Sequence, residues 1–199
     1  MRKKLLITIA CLSVILCALV TGTIAWLTDN TQSIVNEFTP SDIDVELVET
    51  KFEKKMVPGK TMDKTATVTV TNDIACYVFI KVDESAVLDT YIAYSVDDTI
   101  WTPVSGQTGV YYKAIETTGT ASFTVLGAGS ETINGVGCSW GANKVLVKPT
   151  VTKQQMKDLN VAGAVQPTLT FTAYVCQMEN GDTNFTPAEA WAIAKPATN

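Results

Sequence analysis

The side chains in this chain that could do chemistry are three thiols, three acidic pairs and a group of aromatic residues. None of them has a histidine to work with, because the 199 residues contain no His. A zinc-protease helix needs two imidazoles one turn apart, and Ser-His-Asp or Cys-His nucleophiles need an imidazole base. Both mechanisms are excluded, and no serine–lysine spacing stands out in their place. A glycosidase-like pair of carboxylates is recognised by its separation in space. The oxygen-rich positions are Asp42/Asp44, Asp97/Asp98 and Glu179/Asp182. None fits the D-x-[DN]-x-[DN]-G calcium loop, and turn chemistry accounts for all three. Gly127-Ala128-Gly129 lacks the helix and lysine of a phosphate-binding loop. The expectation is a non-catalytic protein with no metal and no cofactor.

Cys11 and Cys17 fall in an apolar N-terminal run, which leaves Cys76, Cys138 and Cys176. Cys76 and Cys176 both sit in expected strands. Cross-linking them would close a loop of about 100 residues, worth roughly 4.7 kcal/mol in the chain-entropy model. Buried free thiols are the preferred expectation, and the Cys76–Cys176 disulfide is the alternative. Trp101, Tyr111 and Tyr112 could line a sugar-binding face, although alternating aromatics on strands more often pack in a core.

The first 25 residues belong to a different kind of segment. Arg2, Lys3 and Lys4 precede an uncharged stretch that runs to Asp29 and ends in Gly22-Thr23-Ile24-Ala25. A basic start, an apolar centre and small residues at the end describe an export signal, with cleavage expected between Ala25 and Trp26. An uncleaved membrane anchor is the alternative, since the run is long enough to span a bilayer. Cleavage leaves 12 lysines against 20 acidic residues, a net charge of −8 with no arginine. A nucleic-acid binder needs a basic footprint, so that class is excluded.

These residues need a scaffold, and the pattern behind the signal is β. Ile43, Val45 and Leu47 alternate with Asp44 and Glu46. Thr65–Thr71 alternates likewise, and Cys76–Val82 follows at hairpin distance, β-branched and aromatic. Further strands are expected over 91–95, 99–104, 110–115, 121–126 and 144–151, with 127–141 as a Gly/Ser-rich loop. Thr152 and Gln155 match a capping box, which predicts a short helix through Leu159. The last long strand puts Leu169, Phe171, Ala173 and Val175 on one face. Thr186-Pro187-Ala188-Glu189 opens a second helix, a lid with Trp191 packed beneath it. Many short strands with regular turn signals predict an all-β sandwich of jelly-roll or immunoglobulin-like kind.

The Gly22-Thr-Ile-Ala-Trp-Leu-Thr-Asp29 junction resembles the ending of signal peptides cut by the dedicated signal peptidase SipW. Asn36-Glu-Phe38, Ile43-Asp-Val-Glu-Leu47 and Val57-Pro-Gly59 resemble the opening of the TasA/camelysin-like exported proteins. Leu169–Gln177 and Glu189-Ala-Trp191 resemble their closing strand and lid. The resemblance implies a Gram-positive secreted protein of the cell surface or biofilm matrix, with SipW-type peptidase as a partner. It also implies self-assembly in some members by donation of an N-terminal strand. Residues 1–25 are then the signal, 26–40 the donor segment with Ile34 and Phe38 as anchors, and 41–199 the sandwich. Other members are described as camelysin peptidases, an activity that histidine-dependent zinc chemistry would not support here. A glycan- or protein-binding surface module is the alternative function.

Overall fold

The computed structural model describes residues 41–49 and 55–195. The signal segment, the Ala25–Trp26 junction and the anchors Ile34 and Phe38 lie outside the described residues, as does the Pro196 helix stop. The described residues form the all-β sandwich that the periodicity predicts. One sheet has the order β1-β3-β8, from Ile43–Glu49, Ala66–Asn72 and Gly119–Thr124. The other has the order β12-β4-β7-β6, from Leu169–Gln177, Cys76–Glu84, Val110–Ile115 and Thr102–Pro103. A third small sheet joins β2 (Thr61–Asp63), β11 (Lys144–Val147) and β5 (Ile92–Ala93). All pairings are antiparallel.

Period-two alternation decides what each sheet buries. Ala66, Val68 and Val70 of β3 and Cys76, Val78 and Ile80 of β4 are all 0% exposed. They meet in one core with Val145 and Val147 of β11 and Phe171 of β12. The opposite face of β4 presents Tyr77 and Phe79, which pack with Cys176, Met178 and Trp191. That second core exists because helix α3 (Pro187–Ala194) covers it. The capping box expected there is formed, Thr186 Oγ1 accepting from the Glu189 N–H while Glu189 accepts from the Thr186 N–H. Trp191 then lies 5.5 Å from the Phe79 ring and 5.2 Å from Tyr174, centroid to centroid. The Thr152 box also forms and opens α2 (Lys153–Asp158), which buries none of its residues.

Four expectations change, one of them the strand expected over 99–104, where a turn leaves only two-residue β6. Strands β3 and β4 do not pair as a hairpin, because β3 has β1 on one side and β8 on the other. The chain crosses between sheets at Asp73–Ala75 instead. The return crossing from β7 to β8 lies beside it, and the Asn72 side-chain amide donates to both turns, to Ile74 O at 2.8 Å and Thr117 O at 3.1 Å. The expected strand over 91–95 is a short helix, α1 (Leu88–Tyr91), followed by two-residue β5. The expected Gly/Ser loop contains a hairpin of β9 (Gly129–Ile133) and β10 (Val136–Trp140). Its two-residue turn is Asn134-Gly135, both at positive φ (48° and 77°), the combination that matches strand twist best. Gly129 is obligatory for another reason: a Cβ there would meet Ser95 Oγ at 2.1 Å and the Trp140 ring at 2.5 Å. A last hairpin, β13 (Glu179–Asn180) and β14 (Thr183–Asn184), leads into α3.

Candidate functional site

The place where the two sheets approach edge to edge differs from the rest of the sandwich. Strand β1 packs beside β12, yet among the described strands β1 pairs only with β3 and β12 only with β4. Each therefore keeps one row of N–H and C=O groups without a ladder partner among the described residues. The inward side chains here are half-covered. Ile43, Val45 and Leu47 on β1, and Leu169, Ala173 and Val175 on β12, are all intermediate in exposure. Their counterparts on the central strands are sealed.

One end of this seam carries a polar latch. The Glu49 carboxylate accepts from the Phe171 N–H at 3.4 Å and from Lys64 Nζ at 2.8 Å. The Lys64 ammonium also lies 5.2 Å from the Phe171 ring centroid. A side-chain oxygen thus takes the place that a neighbouring strand's carbonyl would occupy. The geometry also fixes direction: the Phe171 N–H points away from β4, so the Ala173 and Val175 amides do too, two and four residues on.

The four edges of the two large sheets are not equally protected. Pairing edges are normally blunted by charge, proline or shortness. Strand β6 has two residues and includes Pro103. Strand β1 carries Asp44, Glu46 and Glu49. Strand β8 has six residues and begins at Gly119, whose φ is +126°. Strand β12 has nine residues, LTFTAYVCQ, with neither charge nor proline. Its openness was legible in advance, since no charged residue stands between Asp158 and Glu179. Reading for one buried face, rather than for edges, passes over that signal.

The sequence-derived candidates fall in separate places. Cys76, Cys138 and Cys176 are all free thiols. The Cys76–Cys176 disulfide is not formed, and the register explains why: Cys176 stands opposite Tyr77, and Cys76 opposite Gln177. Directly opposed residues share a face, so Cys76 enters the inner core while Cys176 enters the outer one. Thiols pointing to opposite faces of a sheet cannot be bridged without moving backbone. Burial, with Cys176 nearby, pushes the Cys76 thiol up to about 11, and burial raises Cys176 as well. Both are therefore protonated and unreactive at neutral pH.

The aromatic face is also divided. Trp101 is 1% exposed and its indole N–H donates to Thr124 O at 2.8 Å. Tyr112 lies on the other side of the sheet, edge-on to Tyr77 at 5.8 Å. The two do not form a common platform. Of the acidic pairs, Asp97 acts as turn chemistry, its Oδ1 accepting from the Thr99 N–H at 3.1 Å and from its hydroxyl at 2.6 Å; Asp44 instead lies on the exposed face of strand β1 and Glu179 in β13. Asp182 follows Gly181 (φ 65°) in the β13–β14 turn. Among the described residues no three His, Cys, Asp or Glu side chains gather as a metal site.

No family model matches this chain, and no curated protein and no solved structure matches it either.

Proposed function

We propose that this is an exported, non-catalytic protein of a Gram-positive cell surface or biofilm matrix, whose sandwich accepts a strand from a neighbouring copy at the β1–β12 seam. The observation that carries the reading is the uncharged nine-residue edge of β12 beside half-covered core residues. An open edge is a template for an added strand. Segment 26–40, freed by cleavage after Ala25, is the donor, with Ile34 and Phe38 as anchors over Leu169, Ala173 and Val175.

Magnitudes decide how much of the segment must take part. Burying two anchors contributes about 1.5–3 kcal/mol each, roughly 3–6 kcal/mol together. Association costs about 4–15 kcal/mol, so the anchors alone fall short. Each ladder hydrogen bond adds about 0.5–1.5 kcal/mol net; the Phe171 N–H is held by Glu49, and the outward amides of Ala173 and Val175 remain to pair. A donated strand must therefore pair along most of the edge, and two side chains plugged into a groove would not hold.

Electron microscopy of the cleaved protein tests this reading. Protein beginning at Trp26 is expected to form filaments that a version lacking residues 26–38 does not. Ala173→Pro, which removes an outward amide and leaves the β4 ladder alone, is expected to stop assembly while the domain stays folded. Identical filaments from all three would sink the proposal. N-terminal sequencing of the exported protein tests the cleavage step separately, with Trp26 expected as the first residue.

A further inference from the structure

A second concavity lies at the far margin of the four-stranded sheet, where short β6 is its edge. The cleft has a volume of about 450 Å³ and is open on one side, within the size range of small-ligand sites. It is lined by Tyr94, Ser95, Val96, Asp98, Trp101 and Tyr111, with Pro103 at its rim. Each part is held rigidly from behind. Trp101 forms the floor, fixed by its bond to Thr124 O and by Phe123 edge-on at 6.3 Å. The Tyr94 phenol donates to the Glu84 carboxylate. Asp97 ties down the turn that presents Asp98.

The polar groups left over have a common character. Asp98 and Tyr111 line this space, whereas the Ser95 hydroxyl lies against Gly129; among the described residues no side-chain hydrogen bond engages the Asp98 carboxylate or the Tyr111 hydroxyl. The hydroxyl both donates and accepts, and the carboxylate accepts only. The walls between them are aromatic or alicyclic: two tyrosines, the edge of a tryptophan and a proline ring. Flat apolar rings with interspersed hydroxyl-type partners complement a molecule that has an apolar face and a rim of hydroxyls. A carboxylate that accepts from two adjacent O–H groups adds orientation. A lone alkylammonium would leave the ring faces and the Tyr111 hydroxyl unused, and Asp98 is the one carboxylate among the lining residues.

We infer that the Tyr94–Asp98–Tyr111 cleft binds a pyranose ring of a polysaccharide, stacked on the tyrosines and hydrogen-bonded through Asp98 and the Tyr111 hydroxyl. The site is distinct from the seam and does not depend on strand donation. A matrix protein built this way joins its own polymer to a glycan.

The experiment is saturation-transfer and amide-shift NMR on the cleaved domain, titrated with soluble oligosaccharides of glucose, galactose, N-acetylglucosamine and glucosamine. At least one series is expected to shift amides within 94–103 and 110–112. Asp98→Asn and Tyr111→Phe each keep the fold's apolar contacts and are expected to weaken binding tenfold or more. Asp182→Asn, a carboxylate outside the cleft, is expected to leave affinity within twofold. A selective response to glucosamine that vanishes on acetylation, and is matched by free lysine, would overturn the pyranose assignment in favour of a cation site. Failure of all four series to shift these amides would overturn it outright, as would binding that both cleft variants retain.

Discussion

The centre of the sandwich and its seam are built from the same alternation of apolar residues, and they end in different surroundings. Strands β3 and β4 have neighbours on both sides, and Ala66, Val68, Val70, Cys76, Val78 and Ile80 on their inward faces are sealed at 0% exposure. Strands β1 and β12 have one ladder neighbour each among the described residues, and apart from the buried Phe171 their inward apolar residues remain half-covered. Periodicity sets which way a side chain points. Coverage is set by how many strands lie beside it. The strand donation proposed above would need this asymmetry: a centre stable enough to stand alone and a margin left unfinished.

Substitutions at the two places should separate them. Ile80→Ala at the centre is expected to lose about 2–5 kcal/mol in urea unfolding. Leu47→Ala at the seam should lose less, below about 2 kcal/mol, because part of that side chain already meets solvent. Equal losses would break the contrast. A peptide of residues 26–40, added to protein that starts at Ser41, should stabilise the domain by about 2.7 kcal/mol at a hundredfold excess over its Kd. Ala173→Pro should abolish that gain, and a peptide without effect would mean the seam is already closed.

A smaller effect sharpens the role of the lid, which completes the outer core on the other face of β12. Thr186→Ala removes the α3 cap and should cost about 1 kcal/mol. The Thr186 backbone and hydroxyl hold the Glu189 carboxyl below its ordinary value. That contribution is present above the ordinary glutamate range and is lost as pH falls through the lowered folded value. The gap between wild type and Thr186→Ala should therefore narrow in acid, which thermal melts across that range would read.

The thiols give the mildest test. Cys138, half-exposed on β10, should react with a thiol reagent in the native protein. Cys76 and Cys176 should react only on unfolding. Burial costs nothing while Cys76 is protonated, so stability should be level below its ordinary value of about 9 and fall as pH rises towards about 11. Native labelling of Cys76 would mean the sealed centre breathes more than its packing implies.

The parts of this fold that were legible in the sequence are those with local causes. Alternation located β1, β3, β4, β7 and β12, and two threonine boxes located α2 and α3. What local pattern cannot carry is partnership. Nothing between Asn72 and Cys76 says that β3's sides are both taken, so a three-residue gap reads as a hairpin when it is a crossing. Asn134-Gly135 is the opposite case, a strong local turn signal hidden by the small residues around it. The seam and the cleft depend on which strands become edges. Cys76 and Cys176 needed the register before their opposite directions could be known.

The pairing of β4 with β12 joins Cys76 to Gln177, so one flank of a central strand is supplied almost at the end of the chain. Such distant closure makes folding slow, because loop entropy is spent before contacts repay it. Until β12 emerges, the four-stranded sheet is unfinished. Under the export proposed above, that delay would keep the chain loose while it crosses the membrane, the four-stranded sheet closing only once β12 is through.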